Sequence, residues 1–125
     1  MKLSLSERLL ALREVEPFCG LRPAELLTIA SATQAQRFAP GAVLCPRQGM
    51  IQRLYIRISG AAVDEAGHPM QAVIGTTILL TGQAAPFAIH AGPAGLEALV
   101  LPRSKFFTII NECPSLLVGF FRMPL

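Results

Sequence analysis

The chain has 125 residues, of which 52% are hydrophobic and only 15% are charged, and its formal net charge is +3. This length fits one domain with a single core, and the scarcity of charge predicts exposed apolar surface and self-association. Because the arginines are scattered singly along the chain, the composition excludes the basic stripe that nucleic-acid binding by this chain alone would need.

The first 34 residues predict two short helices. Ser4 and Glu7 have the spacing of a capping box, and leucines recur at helical intervals until Pro17 ends the first helix, near position 15. Charged residues interrupt this stretch, so it lacks the apolar core of a signal peptide, and we expect a cytoplasmic protein. The second helix has Pro23 in its first turn and is expected to end near Thr33.

Residues 35–102 predict an antiparallel β-roll, because short β-prone runs are separated at regular spacing by turn pairs such as Pro40-Gly41. In the run RLYIRI, which begins at Arg53, polar and apolar positions alternate. Tyr55 and its arginine neighbours are therefore expected on a face that meets solvent or a partner. Two further strands are predicted at 86–91 and 96–101.

Residues 103–125 return to helical spacing. Ser104 stands where an N-cap would stand, and Pro114 opens a last helix that is apolar nearly all round. Such a helix must be covered by the roll, by another chain or by residues beyond the chain's end. We predict that it forms an interface through four side chains, Leu116, Leu117, Phe120 and Phe121.

These elements make one mainly β domain over residues 1–125. Two N-terminal helices (1–34) precede an antiparallel roll (35–102) that is expected to close as a jelly-roll barrel, the double-stranded β-helix, and C-terminal helices follow (103–125). The sequence shows no internal repeat and no linker.

The sequence offers little for catalysis or metal binding. Cys19, Cys45 and Cys113 are widely spaced without a CxxC pair, so they are interpreted as small buried hydrophobes in a reducing compartment. His68 and His90 stand apart, with His68 expected in a hairpin turn, and no GxSxG elbow is present. We predict no metal, no cofactor and no enzymatic activity, and keep a cupin-like metal enzyme as a third alternative.

No Asp, Glu, Lys or Arg occurs between residues 66 and 96. A membrane-spanning helix needs about 20 consecutive apolar residues, and turn and polar residues interrupt this window too often to provide them. The window therefore belongs either to a buried core or to a ligand site.

Several phrases in order resemble the cyclic nucleotide-binding domain, the sensor module of catabolite-activator-type regulators, cyclic-nucleotide-dependent kinases and gated channels. They are PFCGLRPAELLTIA, RFAPGAVLCPRQG, LYIRISGAAV and EALVLPRSKFFTIINECPSL, and the likeness covers about residues 17–117. The resemblance implies a helix, helix, β-roll, helix order. A DNA-binding role would further need the helix-turn-helix domain that such transcription regulators carry after the roll.

In that family the cyclic phosphate sits in a cassette of the form Gly-Glu-Leu, an apolar run, then Arg-(Ser or Ala)-Ala-Thr. The arginine bonds the phosphate and the glutamate accepts from the ribose hydroxyl. GTTILLTGQAAPFAIHA laid on this pattern places Gly75 at the glycine, Thr76 at the glutamate and Ala85 at the arginine. A second register matches Val73-Ile74-Gly75 to the family's earlier Val-Leu-Gly-Pro-Gly turn, and it supplies no arginine either.

The missing charges imply that cyclic AMP and cyclic GMP are not bound in the usual way. The candidate ligand-binding positions are Gly75, Thr76, Thr77, Thr81, Gln83, Ala85 and Pro86. The threonines and Gln83 would suit a neutral polar ligand, or would only satisfy turn backbone. Arg57 and Arg103 are the nearest basic residues in sequence, and either could reach in from a neighbouring strand.

We therefore expect a non-enzymatic regulatory module with a degenerate pocket, which acts through a homodimer or a protein partner at its apolar helical ends. The alternatives are a sensor for an uncharged small molecule and a cyclic nucleotide-binding domain that uses a displaced arginine.

Overall fold

The computed structural model describes residues 2–121, with Phe121 by its backbone alone. Helix α1 (Leu5–Arg13) begins with a capping box, in which the Ser4 hydroxyl accepts from the Glu7 amide at 3.1 Å and the Glu7 carboxylate accepts from the Ser4 amide at 3.0 Å. Helix α2 (Pro23–Ala32) has its proline in the first turn. Both helices were predicted, and both end close to the predicted positions.

Five strands follow the pattern predicted for the middle of the chain. They are β1 (Gln34–Phe38), β2 (Val43–Cys45), β3 (Arg53–Val63), β4 (Val73–Ile74) and β5 (Ile89–Pro102). Strand β5 is central, because β3 pairs with one edge of it and β1 and β2 pair with the other, all antiparallel. The mainly β architecture with flanking helices is confirmed.

The predicted closure into a barrel is wrong for the described strands. The order is β1-β5-β3-β4, with β2 also on β5, so β1 and β4 are the two ends of an open sheet. Strand β4 has only two residues and pairs only with β3. Its second edge has no strand partner among the described residues.

The two strands predicted at 86–91 and 96–101 are one strand of 14 residues, β5. The intervening Gly-Pro-Ala-Gly segment lies within the strand and does not end it. The register between β5 and β3 shifts at this segment, between Gly60 and Ala62 of β3, and Pro93 lies exposed. At the same place Gly60 and Gly95 both have positive φ, 76° and 81°, and a Cβ on Gly60 would collide with the Gly95 carbonyl.

Strand β3 is covered on both faces in its first half. Leu54 and Ile56 are buried as expected, but Tyr55, predicted to meet solvent or a partner, is only 3% exposed. The Phe38 ring packs edge-on against the Tyr55 ring at 5.7 Å, and the Arg53 guanidinium lies 5.4 Å from the centre of the same ring. Side chains of the same sheet therefore cover the face that the alternation left open.

Three helices complete the described fold. They are α3 (Thr76–Thr81), α4 (Arg103–Glu112) and α5 (Pro114–Phe121). Helix α4 begins earlier than the predicted Ser104 cap, with Pro102 at the cap position. The Phe120 ring lies 5.9 Å from the Phe18 ring and 5.6 Å from the Phe106 ring, so the chain itself covers one face of α5.

The cysteines are free, and they differ in burial. Burial raises the pKa of the Cys45 and Cys113 thiols, as the interpretation of small buried hydrophobes expects. Cys19 is exposed, in the 3-10 turn Phe18–Gly20, so its predicted burial is wrong. Across residues 2–121, every helix falls short of the length and apolar character needed to cross a membrane.

Candidate functional site

The cassette connects β4 to β5, and glycines fix the two ends of its helix. Gly75 precedes α3 with φ 102°, and a Cβ there would lie 3.1 Å from Cγ2 of Ile51. Gly82 follows α3 with φ 71°. Since L side chains rarely adopt positive φ, both turns depend on glycine, and the cassette folds around a helix of six residues.

Thr76, at the position of the family's glutamate, is fully buried, and its hydroxyl has no hydrogen-bond partner among the described residues. Leaving such a group unpaired costs about 1 to 3 kcal/mol. The Thr81 hydroxyl behaves differently, because it donates to the Thr77 carbonyl at 2.7 Å and accepts from the Gln83 amide at 3.3 Å. The Thr81 hydroxyl therefore bonds the backbone of the turn, which is one of the two roles predicted for it.

Ala85, which the first register of the resemblance matches to the family's arginine, has no exposed surface and lies in the hydrophobic core. Its amide donates to the Gly49 carbonyl at 2.8 Å, and its carbonyl accepts from the Gln48 amide at 2.9 Å. Gln83 and Pro86 are exposed on either side. The β2–β3 connection thus covers Ala85 and bonds both of its backbone groups.

The most prominent surface clefts of the described residues lie away from this part of the cassette. The five surface clefts that stand out on residues 2–121 range from about 130 to 480 Å³, and none is lined by a residue from Gly75 to Pro86. The largest lies across Arg37, Ser59 and Glu97, on a different part of the sheet. None of the candidate ligand-binding residues therefore lines one of these five clefts.

The two arginines nearest in sequence point elsewhere. Arg57 lines a cleft beside Glu14, the residue that caps the end of α1, and the Arg103 guanidinium lies 5.0 Å from the centre of the Phe107 ring. Neither has a described contact with the cassette.

A different arginine, Arg47, approaches the cassette, and the sequence analysis missed it. Its Nε donates to Oε1 of Glu65 at 2.7 Å and its Nη2 donates to Oε2, while the Ala88 amide donates to the same Oε1 at 2.8 Å. These hydrogen bonds, with that from Arg47 contributing most, lower the pKa of Glu65 to about 2, and nearby His90 makes a smaller contribution to the same shift. We call the group made by Arg47, Glu65 and the Ala88 amide the anion cluster.

The anion cluster joins three segments that are distant in sequence. Arg47 lies in the β2–β3 connection, next to the Gln48 amide that bonds Ala85, and Glu65 lies in the β3–β4 turn. Ala88 ends the cassette just before β5. A pairing of two loops leaves no periodic signal in the sequence, and the only local hint was that Arg47 precedes the Gln48-Gly49 turn.

The histidines do not form a metal site. His68 lies in the β3–β4 turn, as predicted, with Nδ1 3.7 Å from Asp64, and His90 lies half-buried on β5. Within residues 2–121, no group of three or more His, Cys, Asp or Glu side chains is arranged to hold a metal ion.

The predicted interface residues are placed differently from one another. Leu116 and Phe120 are buried inside the chain's own core, Leu117 is half-buried, and the Phe121 side chain lies outside the described residues. Val118, on the same helix, is 57% exposed. A partner surface on α5 would therefore have to be built around Leu117 and Val118.

No protein-family model matches the chain, and no curated protein sequence matches it significantly. Solved structures do match. The regulatory domain of protein kinase A from Toxoplasma gondii, crystallised with cAMP, has a TM-score of 0.77 at 21% identity over 91% of this chain. The chain has the fold of a cyclic nucleotide-binding domain.

Two further proteins with solved structures share this fold. The regulatory subunit of a cAMP-independent protein kinase A from Trypanosoma brucei has a TM-score of 0.77 at 18% identity over 96% of the chain. A variant of that subunit with three substitutions, one of them threonine to arginine, was solved with cAMP in its A site. A cAMP-binding acyltransferase from Mycobacterium smegmatis has a TM-score of 0.67 at 23% identity over 94% of the chain.

The chain spans about half the length of the kinase regulatory chains, 48%, and 39% of the acyltransferase.

Proposed function

We propose that this chain is a non-enzymatic regulatory module of the cyclic nucleotide-binding fold that does not bind cyclic AMP or cyclic GMP in the family's usual way. Its output would pass through contacts with a second copy or a protein partner, in the cytoplasm. The observation that carries the proposal is Ala85, which stands at the arginine position, has no exposed surface and has both backbone groups bonded to the β2–β3 connection.

The energetic argument concerns the charge of the ligand. A cyclic phosphate is an anion, and a buried ion without a partner costs several kcal/mol, whereas a hydrogen bond to a charged group returns about 1.5 to 3 kcal/mol. The Ala85 methyl group offers no such bond. Thr76 replaces a carboxylate with a hydroxyl, which is a weaker acceptor for a ribose hydroxyl.

The Trypanosoma brucei subunit offers a precedent for this proposal. It is a kinase regulatory subunit that is cAMP-independent, and its cAMP-bound form carries an introduced arginine. A chain of this fold can therefore serve a regulatory complex without cAMP.

Isothermal titration calorimetry with cyclic AMP and cyclic GMP tests the proposal. We expect no binding heat at about 1 mM ligand. The Toxoplasma gondii domain, which was crystallised with cAMP, is the positive control. A micromolar or tighter Kd would overturn the proposal. If the Arg47→Ala variant then lost that binding, Arg47 would be the displaced arginine.

Size-exclusion chromatography with light scattering tests the contact surface. A chain with this much apolar surface is expected to self-associate or to need a partner, and the Val118→Glu variant should shift the distribution toward monomer. Thr108→Glu is the matched control, because Thr108 is an exposed position on the neighbouring α4. A clean monomer at high concentration would remove the homodimer from the proposal.

A second candidate function is a sensor for a neutral polar molecule, and the unpartnered Thr76 hydroxyl is the observation that favours it. A bound ligand at a hundred times its Kd would stabilise the fold by about 2.7 kcal/mol. Thermal-shift screening against uncharged metabolites would detect such an effect. A response that the Thr76→Val variant loses would support the sensor.

A further inference from the structure

The anion cluster has the donor set of an oxyanion-binding site. The Arg47 guanidinium presents Nε and Nη2 to the two oxygens of Glu65, and the Ala88 amide adds a third donor at 2.8 Å. A forked guanidinium with a backbone amide suits a carboxylate or a phosphate equally well, because both offer oxygens at matching spacing. The group that accepts all three hydrogen bonds here is a side chain of the chain itself.

The position of the cluster relates it to the cassette. When Ala85 is matched to the family's arginine, Ala88 falls on the threonine that ends the cassette. Gln48, the neighbour of Arg47, bonds the Ala85 carbonyl. The guanidinium therefore stands beside the end of the cassette, although no basic residue occurs within it.

The turn that carries Glu65 is held in place by its neighbour Asp64. One Asp64 carboxylate oxygen accepts from the Ala66 and His68 amides, both at 2.9 Å, and the Asp64 amide donates to the His68 carbonyl at 3.1 Å. Asp64 is thus occupied within the turn, and Glu65 is left to face Arg47. A group tethered in this way competes with free ligands at an effective concentration in the millimolar range.

We propose that Arg47 and the Ala88 amide form an oxyanion-binding site that the Glu65 carboxylate fills as a built-in ligand, and that a free phosphate-class anion binds there once Glu65 is removed. This inference deepens the proposed function and rests on the assignment of the cassette. In the native chain, the cationic Arg47 beside the end of the cassette would then already be occupied by Glu65. The ligand class is a tetrahedral oxyanion, whether inorganic phosphate or a phosphoester.

The test is calorimetric titration of inorganic phosphate, at constant ionic strength, into the native chain, the Glu65→Ala variant and the Arg47→Ala/Glu65→Ala double variant. We expect Glu65→Ala to bind phosphate at least about tenfold more tightly than the native chain, since the tethered competitor is gone. The Arg47→Ala/Glu65→Ala double variant should lose that gain. Circular dichroism confirms that each protein is folded.

Glu97→Ala is the matched control. Glu97 also accepts from an arginine, Arg37 at 3.2 Å, and from the Ser59 hydroxyl at 2.6 Å, but it lies away from the cassette. It should gain no phosphate affinity. Glu65→Ser removes both carboxylate oxygens and shortens the side chain, so it provides the same comparison if Glu65→Ala does not fold.

Unchanged phosphate affinity in a folded Glu65 variant would overturn the inference, as would an equal gain in Glu97→Ala or a gain that survives loss of Arg47. None of these results bears on the proposed loss of cyclic nucleotide binding, which the titration of the native chain decides separately.

Discussion

The two ends of the cassette differ in how their buried or polar groups are hydrogen-bonded. At the amino-terminal end, Thr76 is buried in an apolar setting with an unpartnered hydroxyl. At the carboxy-terminal end, the Ala88 amide belongs to a charge-assisted network with Glu65 and Arg47. The comparison teaches that a stretch of sequence without charge does not imply a site without charge, because side chains from distant loops complete it.

The strongest challenge to this comparison is to restore the family's charge within the cassette. Ala85→Arg forces a long cation into a position with no exposed surface, and we expect a loss of at least about 3 kcal/mol of unfolding free energy. Urea unfolding measures the loss. Gln83→Arg places the same charge at an exposed position and should stay within about 0.5 kcal/mol of the native chain. An Ala85→Arg protein of native stability would show that the position is open.

The second test concerns the entry to α3. Gly75→Ala requires a side chain at φ 102° and presses its Cβ against Ile51, so we expect a cost of about 1 to 2 kcal/mol. Gly20→Ala is the control, since nothing lies within 4 Å of a Cβ there. Equal stability of the two variants would contradict a strained cassette entry.

The third test removes the unpartnered hydroxyl. Thr76→Val should raise the unfolding free energy by about 1 kcal/mol, because a buried hydroxyl without a partner is replaced by a methyl group. Thr81→Val should instead lower it slightly, by about 0.5 kcal/mol, because Thr81 bonds the turn backbone. Denaturant unfolding of both variants compares the signs. A destabilised Thr76→Val protein would mean that this hydroxyl has a partner in solution.

The smallest effect is the pH dependence of the anion cluster. The pKa of Glu65 is lowered from 4.5 to about 2, so its contribution to stability is complete above the unfolded value and is lost as pH falls through about 2. The melting temperatures of the native chain and Glu65→Gln should differ by a constant amount above about pH 5 and converge toward about pH 2. A difference that persists to the lowest pH would show that the charge of Glu65 is not the cause.

Local patterns predicted most of the architecture. The capping box at Ser4, the proline that opens α2 and the apolar positions of β3 all depend on neighbouring residues, and each lies where it was predicted. The predictions that were wrong depend on contacts between distant segments. Tyr55 is covered by Phe38 from another strand, and the ladders on both edges carry β5 past its Gly-Pro-Ala-Gly segment.

The candidate site shows the same division between features that depend on neighbouring residues and contacts between distant segments. The absence of an arginine at position 85 could be read from the sequence, but the burial of Ala85 by the β2–β3 connection could not. Nor could the approach of Arg47, because the pairing of Arg47 with Glu65 follows from how two loops are folded together and not from any spacing within either loop.

The length of β5 has a mechanical consequence. It starts directly after Ala88 and ends at Pro102, the cap of α4, so a single strand of 14 residues joins the Ala88 amide to the carboxy-terminal helices. Ladders on both edges hold this strand against lengthwise sliding. The strand therefore provides one continuous backbone path, paired on both edges, from the anion cluster to α4.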